Sequence, residues 1–146
     1  MKIQDIMTKD PSCVTADASV REAAQVMKRE DVGIVPVVDG QSGRRLVGVV
    51  TDRDIVCRVV AEGKNPSAYP AEHCMTSRVV TVAQDAPLNE VLTTMEKHQV
   101  RRVPVVDDRG GCVGMISQAD VAWIGKEKEV AELVREVSRD TGEISR

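Results

Sequence analysis

Val35-Pro36-Val37-Val38-Asp39 returns 68 residues later as Val103-Pro104-Val105-Val106-Asp107. Met7-Thr8 returns at the same offset as Met75-Thr76. Laid over each other without a gap, residues 7–39 and 75–107 are identical at 13 of 33 positions. Past them the offset falls to 66. Gly48-Val49-Val50-Thr51-Asp52-Arg53-Asp54 then meets Gly114-Met115-Ile116-Ser117-Gln118-Ala119-Asp120. Self-similarity at a fixed offset is the mark of a duplicated architecture. Each polar position kept in both copies therefore predicts a pair of related pockets.

Around these landmarks each copy has the same order of elements. An extended segment comes first, near Cys13-Val14-Thr15 and Val80-Thr81-Val82. A helix follows, with Val20, Ala23, Ala24 and Met27 on one face in the first copy. Leu88, Val91, Leu92 and Met95 make the same face in the second. Both sets run i, i+3, i+4, i+7, which is one side of a helix. Asp17 and Asp85 just ahead of them are candidate caps for free N–H groups. Two β-rich runs come next, at 34–38 and 46–50, and again at 103–106 and 112–116, each pair flanking a polar turn. Pro36 and Pro104 cannot donate to a ladder, which predicts an edge strand or a bulge there. A second helix is expected from Thr51 and from Ser117.

The unit is thus βαββα, used twice, an α+β fold. Expected boundaries are residues 1–66 and 67–124, with a charged C-terminal helix and tail at 125–146. Short helical turns are expected before each Met-Thr, at residues 3–6 and 71–74. Residues 62–70 read as the connection. Val130, Leu133, Val134 and Val137 form a stripe on the last helix, and residues 140–146 look frayed.

Composition narrows the function. The chain has 146 residues, enough for one good core or two small units sharing one. Its formal charge of −3 gives no general pull on nucleic acid or an anionic membrane. Trp123 and Tyr69 are the aromatic residues, too few for stacking a single strand. No apolar run is long enough for a membrane span, and the N-terminus lacks a secretory stretch, so a cytoplasmic location is expected. Cys13, Cys57, Cys74 and Cys112 are far apart and read as small buried hydrophobes. His73 and His98 stand without a recognisable nucleophile or carboxylate. No metal-ligand spacing is present, and no catalytic constellation, so an enzyme is not expected.

The sharpest chemical signal is the glycine, two apolar residues, then Thr or Ser with Asp three positions on. One reading is a helix capping box. Two features favour a ligand. Gly48 and Gly114 leave room for something to approach the backbone. Both motifs sit where a strand turns into a helix, whose N–H groups suit phosphate. A carboxylate one turn in can accept both hydroxyls of a ribose, as the acidic residue does in dinucleotide folds. Capping and binding are compatible.

These residues together resemble a tandem pair of cystathionine-β-synthase (CBS) domains, a Bateman module, of the small stand-alone bacterial type. Met7-Thr8, Val35 to Asp39, Gly48 to Val56, Met75-Thr76, Arg101 to Asp107 and Gly114 to Asp120 carry the resemblance, which covers about residues 3–124. It implies two βαββα repeats packed with pseudo-two-fold symmetry and two clefts. It implies an adenosine-containing ligand: AMP, ADP, ATP or S-adenosylmethionine, with no required cofactor. Thr51 and Asp54 would contact phosphate and ribose at one site, and Ser117 and Asp120 at the other. Backbone near Cys13-Val14 and Thr81-Val82 would face the adenine, with Val35-Pro36 and Val103-Pro104 nearby. Arg53 makes the first site the expected phosphate site, and Arg101 or Arg102 can serve either. A homodimer is the default, acting on a separate client protein. The rival readings are a structural interaction pair with vestigial clefts, and a cysteine-based redox or metal sensor.

Overall fold

The structure is a computed structural model, described for residues 2–124 and 133–138. It divides into two compact units, and these cut across the sequence copies. The first-motif unit is Pro11–Val79 with Arg109–Cys112. The second-motif unit takes the described residues up to Asp10, Val80–Asp108, and those from Val113 onward. Each copy therefore gives its opening Met-Thr to the unit built on the other copy's strands.

The two units share one plan. In the first-motif unit, β2 (Val14–Thr15), β3 (Ile34–Val38) and β4 (Leu46–Thr51) form a sheet in that order. β2 runs parallel to β3, with Val14 opposite Val37, and β3 runs antiparallel to β4. Thr76 closes the free edge of β4 by exchanging backbone bonds with Val49 at 2.8 and 3.0 Å. In the second-motif unit the order is β1 (Thr8–Lys9), β7 (Cys112–Ser117), β6 (Arg102–Val106), β5 (Val82–Ala83). β5 is parallel to β6, with Val82 opposite Val105, and β1 is antiparallel to β7. Thr8 faces Met115 as Thr76 faces Val49.

The helices are α1 (Val20–Glu30), α2 (Asp52–Ile55), α3 (Leu88–His98) and α4 (Gln118–Ile124), with a π-helical turn at Val56–Val60 continuing α2. Short 3-10 turns at Ile3–Asp5 and Ala71–His73 precede each Met-Thr, as the sequence predicts. α1 buries Val20, Ala23 and Val26, so its inner face is turned slightly from the expected stripe. α3 buries Val91, Leu92 and Met95. Residues 133–138 are helical, and Val137 is buried in the second-motif core with Leu133 and Val134 against it. Val130 and residues 140–146 lie outside the described residues.

Two expectations are corrected. The caps are not Asp17 and Asp85. Ser19 stands next to the first residue of α1, and its hydroxyl accepts from the Glu22 N–H at 3.2 Å. Asp17 lies too far back and accepts from the Thr15 hydroxyl instead. α3 begins after Pro87, with no side-chain cap. The proline strands are also central, not at an edge: β3 lies between β2 and β4, and β6 between β7 and β5; the bulge alternative holds in β3, whose register against β4 shifts between Val37 and Val38. Pro36 faces Val49, whose own N–H and C=O turn away to Thr76. β2 pairs only with Val37 and Val38, so no ladder bond is lost at Pro36.

Both cores are aliphatic. Val35, Val37, Val50 and Val59 fill one, and Val91, Leu92, Met95, Val103 and Ile116 fill the other. The tightest sites are two glycines. A Cβ on Gly48 would lie 2.6 Å from Met75 Sδ and 2.9 Å from the Thr76 carbonyl oxygen. One on Gly114 would collide with Met7 Sδ. Gly48→Ala is expected to cost about 1–3 kcal/mol, because the Thr76 backbone cannot yield freely. Gly43→Ala, with no atom within 4 Å, is the control and leaves stability unchanged or raised. Urea unfolding of both variants checks this.

Candidate functional site

Thr51 ends β4 and caps α2. Its Oγ1 accepts from the Asp54 N–H at 3.0 Å, and Asp54 Oδ2 accepts from the Thr51 N–H at 3.0 Å. Asp54 is only 9% exposed. A carboxylate so far from water needs donors, since an unpartnered charge there is costly. It finds them: the Thr76 hydroxyl donates to Oδ2 at 3.4 Å, and Arg58 Nε stands 3.9 Å from Oδ1. Arg58 is itself anchored, donating through Nη1 to the Cys74 and Met75 carbonyls at 3.1 Å each. Beneath it Cys74 is fully buried. Burial raises its thiol above the ordinary thiol range, the Asp54 charge adds to this, and Arg58 opposes it.

The second copy builds the same box. Asp120 Oδ2 accepts from the Ser117 N–H at 2.9 Å, and Ser117 Oγ accepts from the Asp120 N–H at 3.1 Å. Asp120 is half-buried. Next to it Gln118 is a buried polar side chain. Its amide donates to the Val134 carbonyl at 2.7 Å and to the Ser138 hydroxyl, tying the C-terminal helix to the head of α4. The Gln118 N–H donates to the Arg101 carbonyl at 2.7 Å.

The other expected site residues are placed as follows. Arg53 is exposed, and its side chain has no hydrogen-bonded partner among the described residues. Arg101 and Arg102 are half-buried at the start of β6. Val14, Val35, Val82 and Val103 are buried in the two cores, with Pro36 and Pro104 also buried. Thr81 is exposed. The Cys13 thiol donates to the Pro11 carbonyl at 3.2 Å. The Arg44 guanidinium donates to Cys13 Sγ at 2.9 Å and to the same carbonyl at 2.7 Å.

Sequence reasoning passed over Arg58, Thr76, Arg44 and Gln118. Arg58 carried a signal, since it lies at i+4 from Asp54 on one helical face. Thr76 was visible only as half of a repeated pair. Arg44 carried none, because 31 residues separate it from Cys13. The glycines have a different role from the one expected. What approaches Gly48 and Gly114 is the chain's own Met75 and Met7. Among the described residues no three of His, Cys, Asp and Glu are grouped to hold a metal ion. No described helix is long and apolar enough to cross a membrane.

Two βαββα units, each ending its last full strand in a hydroxyl–acid box, define a tandem-repeat module. The chain belongs to the CBS domain family, whose pattern matches residues 3–61 and 71–125. Hypoxic response protein 1 of Mycobacterium tuberculosis is 34% identical over 134 residues, 92% of each chain. A crystal structure of Hypoxic Response Protein I with two coordinated zinc ions has a TM-score of 0.75 and 36% identity, over 84% of this chain and 98% of that one. The CBS domain pair of protein MJ0100, in complex with 5-methylthioadenosine and S-adenosyl-L-methionine, has a TM-score of 0.73 and 30% identity, covering 87% and 98%. CBS domain protein PAE2072 from Pyrobaculum aerophilum, complexed with AMP, has a TM-score of 0.76 and 26% identity, covering 92% and 98%.

The boxes have a measurable structural worth. Thr51→Ala is expected to lower the unfolding free energy by about 1–2 kcal/mol, whereas Thr51→Ser, which keeps the acceptor, retains most of it. Chemical denaturation of the two variants decides. The expectation that all four cysteines are buried is corrected: Cys74 and Cys112 are buried, Cys13 is half-buried and Cys57 is exposed. Cys57 is exposed and Cys74 buried with a raised pKa. A thiol reagent at neutral pH is expected to label Cys57 in the folded protein and Cys74 only after unfolding, as mass spectrometry of labelled peptides will show.

Proposed function

We propose that this chain is a regulatory binding module for an adenosine-containing ligand, AMP, ADP, ATP or S-adenosylmethionine, rather than an enzyme. The observation that carries the reading is the paired box: Thr51 with Asp54 and Ser117 with Asp120, each at a strand end. A carboxylate held by the backbone N–H of the residue three positions earlier keeps lone pairs for a vicinal diol, and a hydroxyl beside it offers a donor to ribose or phosphate. Arg53 lies within the first box, and Arg101, whose carbonyl accepts from the Gln118 N–H, is followed by Arg102 at the start of β6; these cations would neutralise a phosphate. The adenosine compounds in the MJ0100 and PAE2072 structures support this ligand class.

The signal would pass as a shift between two arrangements of the module with different ligand affinity. A homodimer acting on a separate client protein is the form we assign to it. A purely structural interaction module is the opposing reading. It is favoured by one observation: each box already satisfies its own donors.

Calorimetry with AMP, ATP and S-adenosylmethionine separates the two. Wild type is expected to bind at least one of them, and Asp54→Ala/Asp120→Ala to lose about tenfold or more in affinity, since each substitution removes a charged acceptor. Undiminished binding by the double variant means the ribose assignment is wrong. No binding by wild type leaves the structural reading.

A further inference from the structure

We infer that the two boxes are unequal receptors: Asp120 takes the ribose diol, while Thr76 and Arg58 hold Asp54 back from it. This rests on the adenosine reading above and says which carboxylate serves it.

A diol needs acceptor positions that no other donor occupies. On Asp54, Oδ2 already accepts from the Thr51 N–H and from the Thr76 hydroxyl. Its other oxygen, Oδ1, is the one that faces Arg58 Nε, at 3.9 Å. Arg58 is half-exposed, so its charge alone is well screened and the ion pair is weak. Its effect is positional. Two carbonyls, those of Cys74 and Met75, fix the guanidinium beside the carboxylate. Thr76 is fixed as firmly, because its backbone is exchanged with Val49 in the sheet. A ligand hydroxyl at Asp54 Oδ2 must displace donors that the fold itself holds in place, and one at Oδ1 meets the fixed Arg58 guanidinium beside it.

Among the described residues Asp120 has no such guard. Its Oδ2 accepts the Ser117 N–H, and no hydrogen bond joins it to Thr8 among the described residues. Thr8 occupies the place of Thr76 in the pairing, yet it is exposed. The position 66 residues after Arg58 carries Ile124, which has no charge and no donor. Asp120 is also more open to solvent than Asp54. The duplication kept the box and changed its surroundings.

Calorimetry with adenosine, which has the diol but no phosphate to recruit arginines, tests this on the full chain. Wild type is expected to bind one adenosine per chain. Asp120→Asn should weaken binding about tenfold or more, and Asp54→Asn by no more than about twofold. Arg58→Ile/Thr76→Val should gain a second site. Equal losses in the two Asn variants, two equal sites in wild type, or no added site after the double substitution would overturn the inference. Should wild type bind neither adenosine, AMP nor S-adenosylmethionine, the adenosine reading fails. The guard itself is then read from thermal unfolding. Asp54→Asn and Thr76→Val should shift the Tm non-additively, and Asp120→Asn and Thr8→Val additively. Additivity at both pairs overturns it.

Discussion

A methionine lies where a side chain would otherwise stand, and this close approach shapes both units. Gly48 and Gly114 carry no Cβ, so Met75 and Met7 lie directly on the last full strand. That contact lets Thr76 and Thr8 pair with the strand's outer edge. An open strand edge exposes unpaired backbone and invites association. Here the edge is covered by the opening of the other sequence copy. Each unit is therefore completed by residues distant in sequence: Met75-Thr76 in one, Met7-Thr8 in the other. Ile3 and Ala71, on the turns ahead of them, are fully buried in the corresponding cores.

This exchange explains what could and could not be read from the chain. The βαββα order was legible because hydrophobic period and turn residues are local signals. Val91, Leu92 and Met95 fall on the predicted face for that reason. The pairing of Met-Thr was not legible. A duplicated sequence offers two nearly identical strands to close, and no local pattern says which one is used. The proline strands misled for a related reason. An edge position follows from a missing N–H only if both neighbours are long. The two-residue β2 and the outward-facing Val49 leave Pro36 with no bond to lose.

The candidate site was legible in its residues and not in its partners. Thr51, Asp54, Ser117 and Asp120 meet as local geometry requires, since a hydroxyl and an acid three positions on cap a helix wherever a strand ends. Such a box positions its carboxylate with backbone bonds that do not depend on a ligand. Thr76 and Arg58 come from elsewhere in the chain or from the next helical turn, and only the folded sheet sets them against Asp54. Arg44 beside Cys13 is likewise a product of tertiary structure.

Duplication makes divergence easy to see because each residue has an internal reference. Glycine, hydroxyl and acid are the same in chemistry at both copies, so the backbone demands of the motif are the same. The differences gather inside the box and one turn past it. Asp52 is exposed where Gln118 is buried and tied to the C-terminal helix. Arg58 stands where the second copy has Ile124. A carboxylate surrounded by fixed donors is satisfied by the protein, and one with a single backbone donor has capacity left for something else. Two boxes of equal geometry thus need not have equal affinity. On the adenosine reading proposed above, the neighbour, more than the motif, decides which one remains open.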